Sequence, residues 1–163
     1  MPTQISGTSG VSAPAATFGS QPDVTTPQSM VRLNTANGYG STNTKIRRFS
    51  NVVVNQGSDI TYSDSPTLGA SFTINKSGVY AISYSDNCSG LYLIGVSLNT
   101  TQPATSVWLI PAAEILTLDS NTTGVVSGCS TQVYLPAGSV IRPHTDGVAS
   151  SGTLQFFTIT RVA

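Results

Sequence analysis

Residues 71–85, reading SFTINKSGVYAISYS, constrain the fold more than any other part of the chain, because two alternating segments flank the turn Lys76-Ser77-Gly78. In the second segment Tyr80, Ile82 and Tyr84 share one face and Val79, Ala81 and Ser83 the other. That period of two marks a strand in a sheet with unlike faces. Gly78 supplies the permissive backbone that a tight turn asks for. Two alternating strands about such a turn point to a β-sandwich that works by binding and assembly.

Turn signals recur along the rest of the chain at the short intervals of an antiparallel all-β domain. Breakers fall at Asn37-Gly38, Gly57-Ser58, Asp64-Ser65-Pro66, Asn87-Cys88-Ser89-Gly90, Gln102-Pro103, Pro136-Ala137-Gly138 and Ser150-Ser151-Gly152. Between them, strands are expected near 31–33, 45–54, 59–63, 70–75, 79–86, 91–99, 106–110, 125–135, 139–144 and 154–162. Pro111 to Leu116 reads either as a short helical turn or as strand, since Ile115, Thr117 and Asp119 continue an extended pattern.

A chain of 163 residues buries roughly 70% of its unfolded surface as one domain, so neither staple nor metal is required for folding. Only 9% of the residues are charged, against about 25% in an average soluble protein. Ser and Thr exceed a quarter of the chain, which makes the surface hydroxyl-rich. Seven basic and seven acidic side chains cancel; without a long-range field, neither nucleic acid nor an anionic membrane is an expected partner. Apolar runs are a few residues long, far short of the ~20 that cross a bilayer, and no basic region followed by an apolar one opens the chain. Weak charge favours association, which suits a multimer.

Residues 1–29 stand apart. They hold Pro2, Pro14, Pro22 and Pro27, one charge at Asp23, and sparse apolar side chains, chiefly Ile5, Val11, Phe18 and Val24. No helix or strand period is present, so this segment reads as an extended N-terminal arm ahead of a jelly-roll domain over 30–163. On a partner surface, each isolated apolar residue of the arm would fill a small pocket. At the other end, Leu154 to Val162 is apolar on both faces; one face fills the sandwich and the other meets something else, most economically a second subunit.

Three elements, Gly78-Val79-Tyr80-Ala81-Ile82-Ser83-Tyr84, Leu135-Pro136-Ala137-Gly138-Ser139-Val140-Ile141 and Phe156-Phe157-Thr158-Ile159, occur in the order and spacing of the tumour-necrosis-factor and complement-globular-head superfamily, and residues 30–163 resemble it. The resemblance implies a ten-stranded jelly roll that trimerises through apolar and aromatic residues. The residues it nominates for that interface are Tyr80, Ile82, Tyr84, Leu154, Phe156 and Phe157. The opening 31–49, VRLNTANGYGSTNTKIRRF, looks like that of small proteins of tailed bacteriophages, in which such a domain commonly serves as a virion component. No Gly-X-Y repeat or heptad stalk precedes the head.

Little chemistry is legible. The sole histidine, His144, sits near Asp146 without a nucleophile motif, and reads as a turn or rim histidine. A His-Asp-Ser set assembled in space is the enzymatic alternative, and in a trimer one histidine per chain can offer three imidazoles to an axial metal. Asp59 with Asp64, Asp86 with Asn87 and Asp119 with Asn121 are the acidic pairs nearest to a calcium pattern, and Asx turns explain each. Lys45, Arg47 and Arg48 cluster basic charge on one strand; one arginine is expected to pair with a carboxylate at a subunit boundary or on the arm. Trp108 reads as a packed anchor, and Cys88 and Cys129 as buried thiols, with a bond between them the alternative. No catalytic, cofactor or metal residue is assigned, and the chain is read as a non-enzyme.

The sequence therefore leads to a homotrimeric virion structural protein. The expected role is capsid decoration (cement): the arm, through Ile5, Val11, Phe18 and Val24, would hold the major capsid protein of the head shell. The alternative is a receptor-binding knob at a fibre or tail tip. Either places the protein in the virion after synthesis in the host cytoplasm.

Overall fold

The computed structural model describes residues 28–42, 45–90, 92–100, 106–121, 126–149 and 152–163. They form an all-β sandwich. Its strands are β1 (Met30–Tyr39), β2 (Arg47–Gln56), β3 (Ile60–Ser65), β4 (Gly69–Ile74), β5 (Gly78–Ser89), β6 (Tyr92–Leu98), β7 (Ile115–Asn121), β8 (Val126–Leu135), β9 (Val140–Thr145), the two-residue β10 (Val148–Ala149) and β11 (Gly152–Arg161). One sheet runs β2-β1-β11-β5, with β8 and the short β10 both on the far side of β5; the other runs β3-β4-β9-β6-β7. Every pairing is antiparallel.

The expected ten-stranded count holds for the longer strands, but two assignments change. Val107–Leu109 is a 3-10 turn rather than a strand, and the seventh strand lies at Ile115–Asn121, after a second 3-10 turn over Ala112–Glu114. Periodicity over five residues cannot separate those cases, whereas Pro111 removes a ladder donor and the two turns bond internally. Gly78 also differs in its reason. Its constraint is close approach, because an added Cβ would lie 2.3 Å from the Ala163 carbonyl oxygen and 2.7 Å from Arg161 Nε.

The interior is filled by the more apolar face of each strand. Phe157 stacks on Phe72 with ring centroids 4.3 Å apart and tilts against Tyr84 at 5.9 Å and Phe49 at 6.4 Å. Val31, Leu33, Ile74, Tyr80, Ile82, Ile94, Ile141 and Ile159 complete this core between the sheets. Such aromatic contacts add about 0.5–1.5 kcal/mol each beyond the area they bury.

Charge enters the core at one point. Arg47 donates from Nε to Asp86 Oδ2 at 2.6 Å and from Nη2 to Oδ1 at 2.8 Å, and both side chains are fully buried. Asp86 also accepts from the Tyr84 hydroxyl at 2.5 Å and from the Asn87 backbone N–H at 2.8 Å, while the Tyr39 ring lies 5.3 Å from the guanidinium. Burial works against the Arg47 charge, and neighbouring Tyr84 and Asp86 outweigh it; burial, with Asp86 next to it, pushes the Tyr84 phenol well above its ordinary range. Arg48 pairs with Asp64 at 2.6 Å on the rim. Both arginines thus find carboxylates within their own subunit, which corrects the expected pairing at a boundary or on the arm. Cys88 and Cys129 are both free and buried.

Candidate functional site

Strand alternation and register build one continuous surface on the outside of the β2-β1-β11-β5-β8 sheet. Gly128, Ser85, Phe156, Asn34 and Asn51 stand in one row across the five strands. The next row holds Ser130, Ser83, Thr158, Arg32 and Val54, and a third holds Gln132, Ala81, Thr160, Met30 and Gln56. Tyr134 pairs with Val79 beyond them.

No outward position of β5, β8 or β11 carries a charge. Those positions are Val79, Ala81, Ser83, Ser85 and Asn87 on β5, Val126, Gly128, Ser130, Gln132 and Tyr134 on β8, and Leu154, Phe156, Thr158 and Thr160 on β11. Small side chains leave two shallow depressions. One of about 370 Å³ is lined by Ala81, Ser83, Ser130, Gln132, Thr158 and Thr160, together with backbone neighbours. The other, about 270 Å³, lies beside Phe156, Ser85 and Gly128. Around them Leu154 is 53% and Tyr134 63% exposed. A flat face of hydroxyls and small residues with an aromatic and aliphatic border can pack against a protein surface without burying an unpaired charge.

The six residues nominated for a trimer interface divide. Tyr80, Ile82, Tyr84 and Phe157 point into the sandwich and are buried by their own subunit, so they are core and have no surface to offer a partner. The physical reason is that the more apolar of two alternating faces goes inside. Leu154 and Phe156 lie on the outward face. Ser83, Ser85, Ser130, Gln132, Thr158 and Tyr134 were missed; the signal available for them was the lack of charge at alternate positions of three separate strands. The arm residues Ile5, Val11, Phe18 and Val24 lie outside the described residues, where only Gln28 and Ser29 of that segment are seen.

His144 is not on this face. It lies on the other sheet, paired opposite Gly95 on β6 and bridged to Ile46, and is fully buried. Its Nε2 is 2.7 Å from Ser97 Oγ, and Nδ1 meets no protein partner. Asp146, the neighbour that could have completed a His-Asp-Ser set, instead accepts from Ser106 Oγ at 2.9 Å and from the Val107 N–H at 3.0 Å. Burial, with Arg142 nearby, pushes His144 down to about 3. A neutral, enclosed imidazole on the sheet away from the uncharged face is a packing residue there. This corrects its reading as a turn or rim histidine and its candidacy as an axial ligand on that face. Among the described residues no three His, Cys, Asp or Glu side chains cluster as metal ligands, and no helix is long and apolar enough to cross a membrane. Trp108, expected to be packed, is 75% exposed.

Comparison with solved structures assigns the architecture. Crystal structures of murine APRIL determined at pH 8.5, 8.0 and 5.0 superpose with TM-scores of 0.58, 0.54 and 0.55 at 12%, 13% and 12% identity. Each comparison spans 83% of this chain and 99% of the APRIL chain. The fold is therefore a tumour-necrosis-factor-like jelly roll. No protein-family model matches the sequence, and no curated protein does.

Proposed function

We propose that this chain is a self-assembling structural module: a homotrimeric jelly roll closed through the outward face of β5, β8 and β11. The observation that carries this reading is the complete absence of charge from that face, on a chain whose described ion pairs lie in the core and at the rims. Burying such a face costs no charge desolvation, and Leu154, Phe156 and Tyr134 supply the apolar contact.

The setting we propose is the virion of a tailed bacteriophage, with the trimer decorating the head shell. Support comes from the likeness of residues 31–49 to small phage proteins, and from an arm of 1–29 that is nearly uncharged and punctuated by apolar residues. Three arms on one rigid trimer act multivalently, so modest contacts per arm add to long-lived attachment to the major capsid protein. A receptor-binding knob on a fibre or tail is the second reading, favoured by the exposed Trp108 and Leu109 in the 3-10 turn between β6 and β7.

Immunolabelling of intact virions separates the two: label over the head establishes decoration, label at the tail tip establishes the knob, and an unlabelled particle overturns both. Removing residues 1–27 is expected to leave the trimer mass unchanged and to abolish capsid binding, and undiminished decoration by the truncated protein would refute the arm mechanism.

A further inference from the structure

The largest exposed apolar side chains belong to the segment between β6 and β7. Trp108 is 75% and Leu109 74% exposed, and Pro111, Ala112 and Ala113 beside them are exposed too. No residue from 107 to 113 is charged. These side chains are held out by a built support. Val107 and Ile110 on either side are buried, and Val107 Cγ1 sits close against Gly95 on β6, 3.2 Å from where a Cβ there would be. The Asp146 carboxylate takes the Ser106 hydroxyl and the Val107 N–H, and the turn closes through Leu109 N–H to the Ser106 carbonyl at 2.9 Å. A rigid, uncharged turn presenting an indole and an isobutyl group is a pre-organised apolar docking knob.

We infer that the occupant of this knob is the chain's own N-terminal segment, seated through Phe18. The two parts are alike in lacking charge: the first 27 residues carry only Asp23, and Phe18 stands among small residues in Ala15-Ala16-Thr17-Phe18-Gly19. Reach selects Phe18 from the apolar residues of the arm. The described chain begins beside Asp59 and Arg161, where Asp59 N–H bonds Ser29 Oγ and Arg161 N–H bonds the Ser29 carbonyl. That end also holds Asn75, whose N–H bonds the Asp59 carbonyl, and Ile74, whose N–H bonds the Ser139 carbonyl at the start of β9. The knob is pinned to Asp146, past the far end of β9. One strand of this length separates the two ends by roughly 20 Å. Val24, four residues before Gln28, reaches at most about 14 Å and falls short, whereas Phe18, ten residues before it, reaches about 35 Å and spans the domain. Ile5 and Val11 have reach to spare but offer no ring to stack on the indole. Seated there, the segment covers the apolar turn in the free protein, whether or not the virion reading holds.

Trp108 is the only tryptophan in the chain and reports on its own cover. In full-length protein, indole emission is expected to be blue-shifted and quenched severalfold less by acrylamide than in the Phe18→Ser variant, with the Ile5→Ser variant behaving as wild type and the wild-type shielding independent of dilution. Equal quenching in wild type and Phe18→Ser overturns the inference, whether both are shielded or both open. Exposure by Ile5→Ser, or shielding lost on dilution, overturns it in favour of another segment or a second copy. The trimer mass, read on the same samples by sedimentation, reports separately on the assembly face.

Discussion

Replacing Asp86 with alanine tests the energetic reasoning most directly, because four hydrogen bonds converge on this carboxylate in the interior of one subunit. The substitution leaves the Arg47 guanidinium fully enclosed with its bidentate partner gone. Removing one member of a buried pair costs about 3–5 kcal/mol, most of it the penalty of stranding the other charge. The Tyr84 hydroxyl loses its acceptor as well, and an unsatisfied buried donor adds about 1–3 kcal/mol. With partial relaxation the expected loss is about 4–6 kcal/mol, a large part of the roughly 5–15 kcal/mol that holds a domain together. Urea unfolding followed by near-ultraviolet circular dichroism measures it, at one fixed protomer concentration because assembly adds to apparent stability. The double variant Arg47→Met with Asp86→Leu removes both charges and is expected to regain most of the loss. A cost below about 1 kcal/mol for Asp86→Ala, or a double variant no better than the single, would refute the view that the stranded charge dominates.

Two further expectations follow from the same packing. Placing lysine at Ser83, in the middle of the uncharged face, puts three unpaired ammonium groups into each proposed trimer, at a desolvation cost of roughly several kcal/mol apiece; sedimentation should show monomer with an unchanged circular dichroism spectrum, and a persistent trimer would move the interface elsewhere. His144, held at about 3 in the folded protein against its ordinary 6.5, stabilises the fold in its neutral form. That contribution is complete above 6.5 and is lost as pH falls from there toward 3, because the unfolded chain then binds a proton that the folded chain refuses. At two pH units below its ordinary value the loss is about 3 kcal/mol, so the stability of wild type should drop toward that of His144→Gln as pH falls from 7 to 4.5. Parallel pH profiles for the two proteins would show that His144 is not the group responsible.

Alternation was enough to place the two strands within residues 71–85, the last strand and the sandwich class, because a period of two with unlike faces is a local property that every strand carries in its own sequence. It did not show that β4 and β5 part into different sheets, so that the turn between them crosses the sandwich and closes no hairpin. The lack of charge at Ala81, Ser83 and Ser85 was equally local. What alternation could not supply was the direction of each face relative to a second sheet, so Tyr80, Ile82 and Tyr84 read as an interface until Phe72, Ile74 and Ile141 of the facing sheet closed the core over them. The same holds for Arg47, whose carboxylate lies 39 residues away on another strand, and for His144, whose burial comes from segments that pair with it only in space. Trp108 differs from its packed expectation for the converse reason, since a large ring is usually packed in the core, and only the turn pinned by Asp146 shows it turned outward from the sandwich. Sequence fixes periodicity and composition because these depend on neighbours along the chain; the partners of a charge, the cover over a ring and the face left open depend on contacts between strands far apart in sequence, which exist once the two sheets have packed.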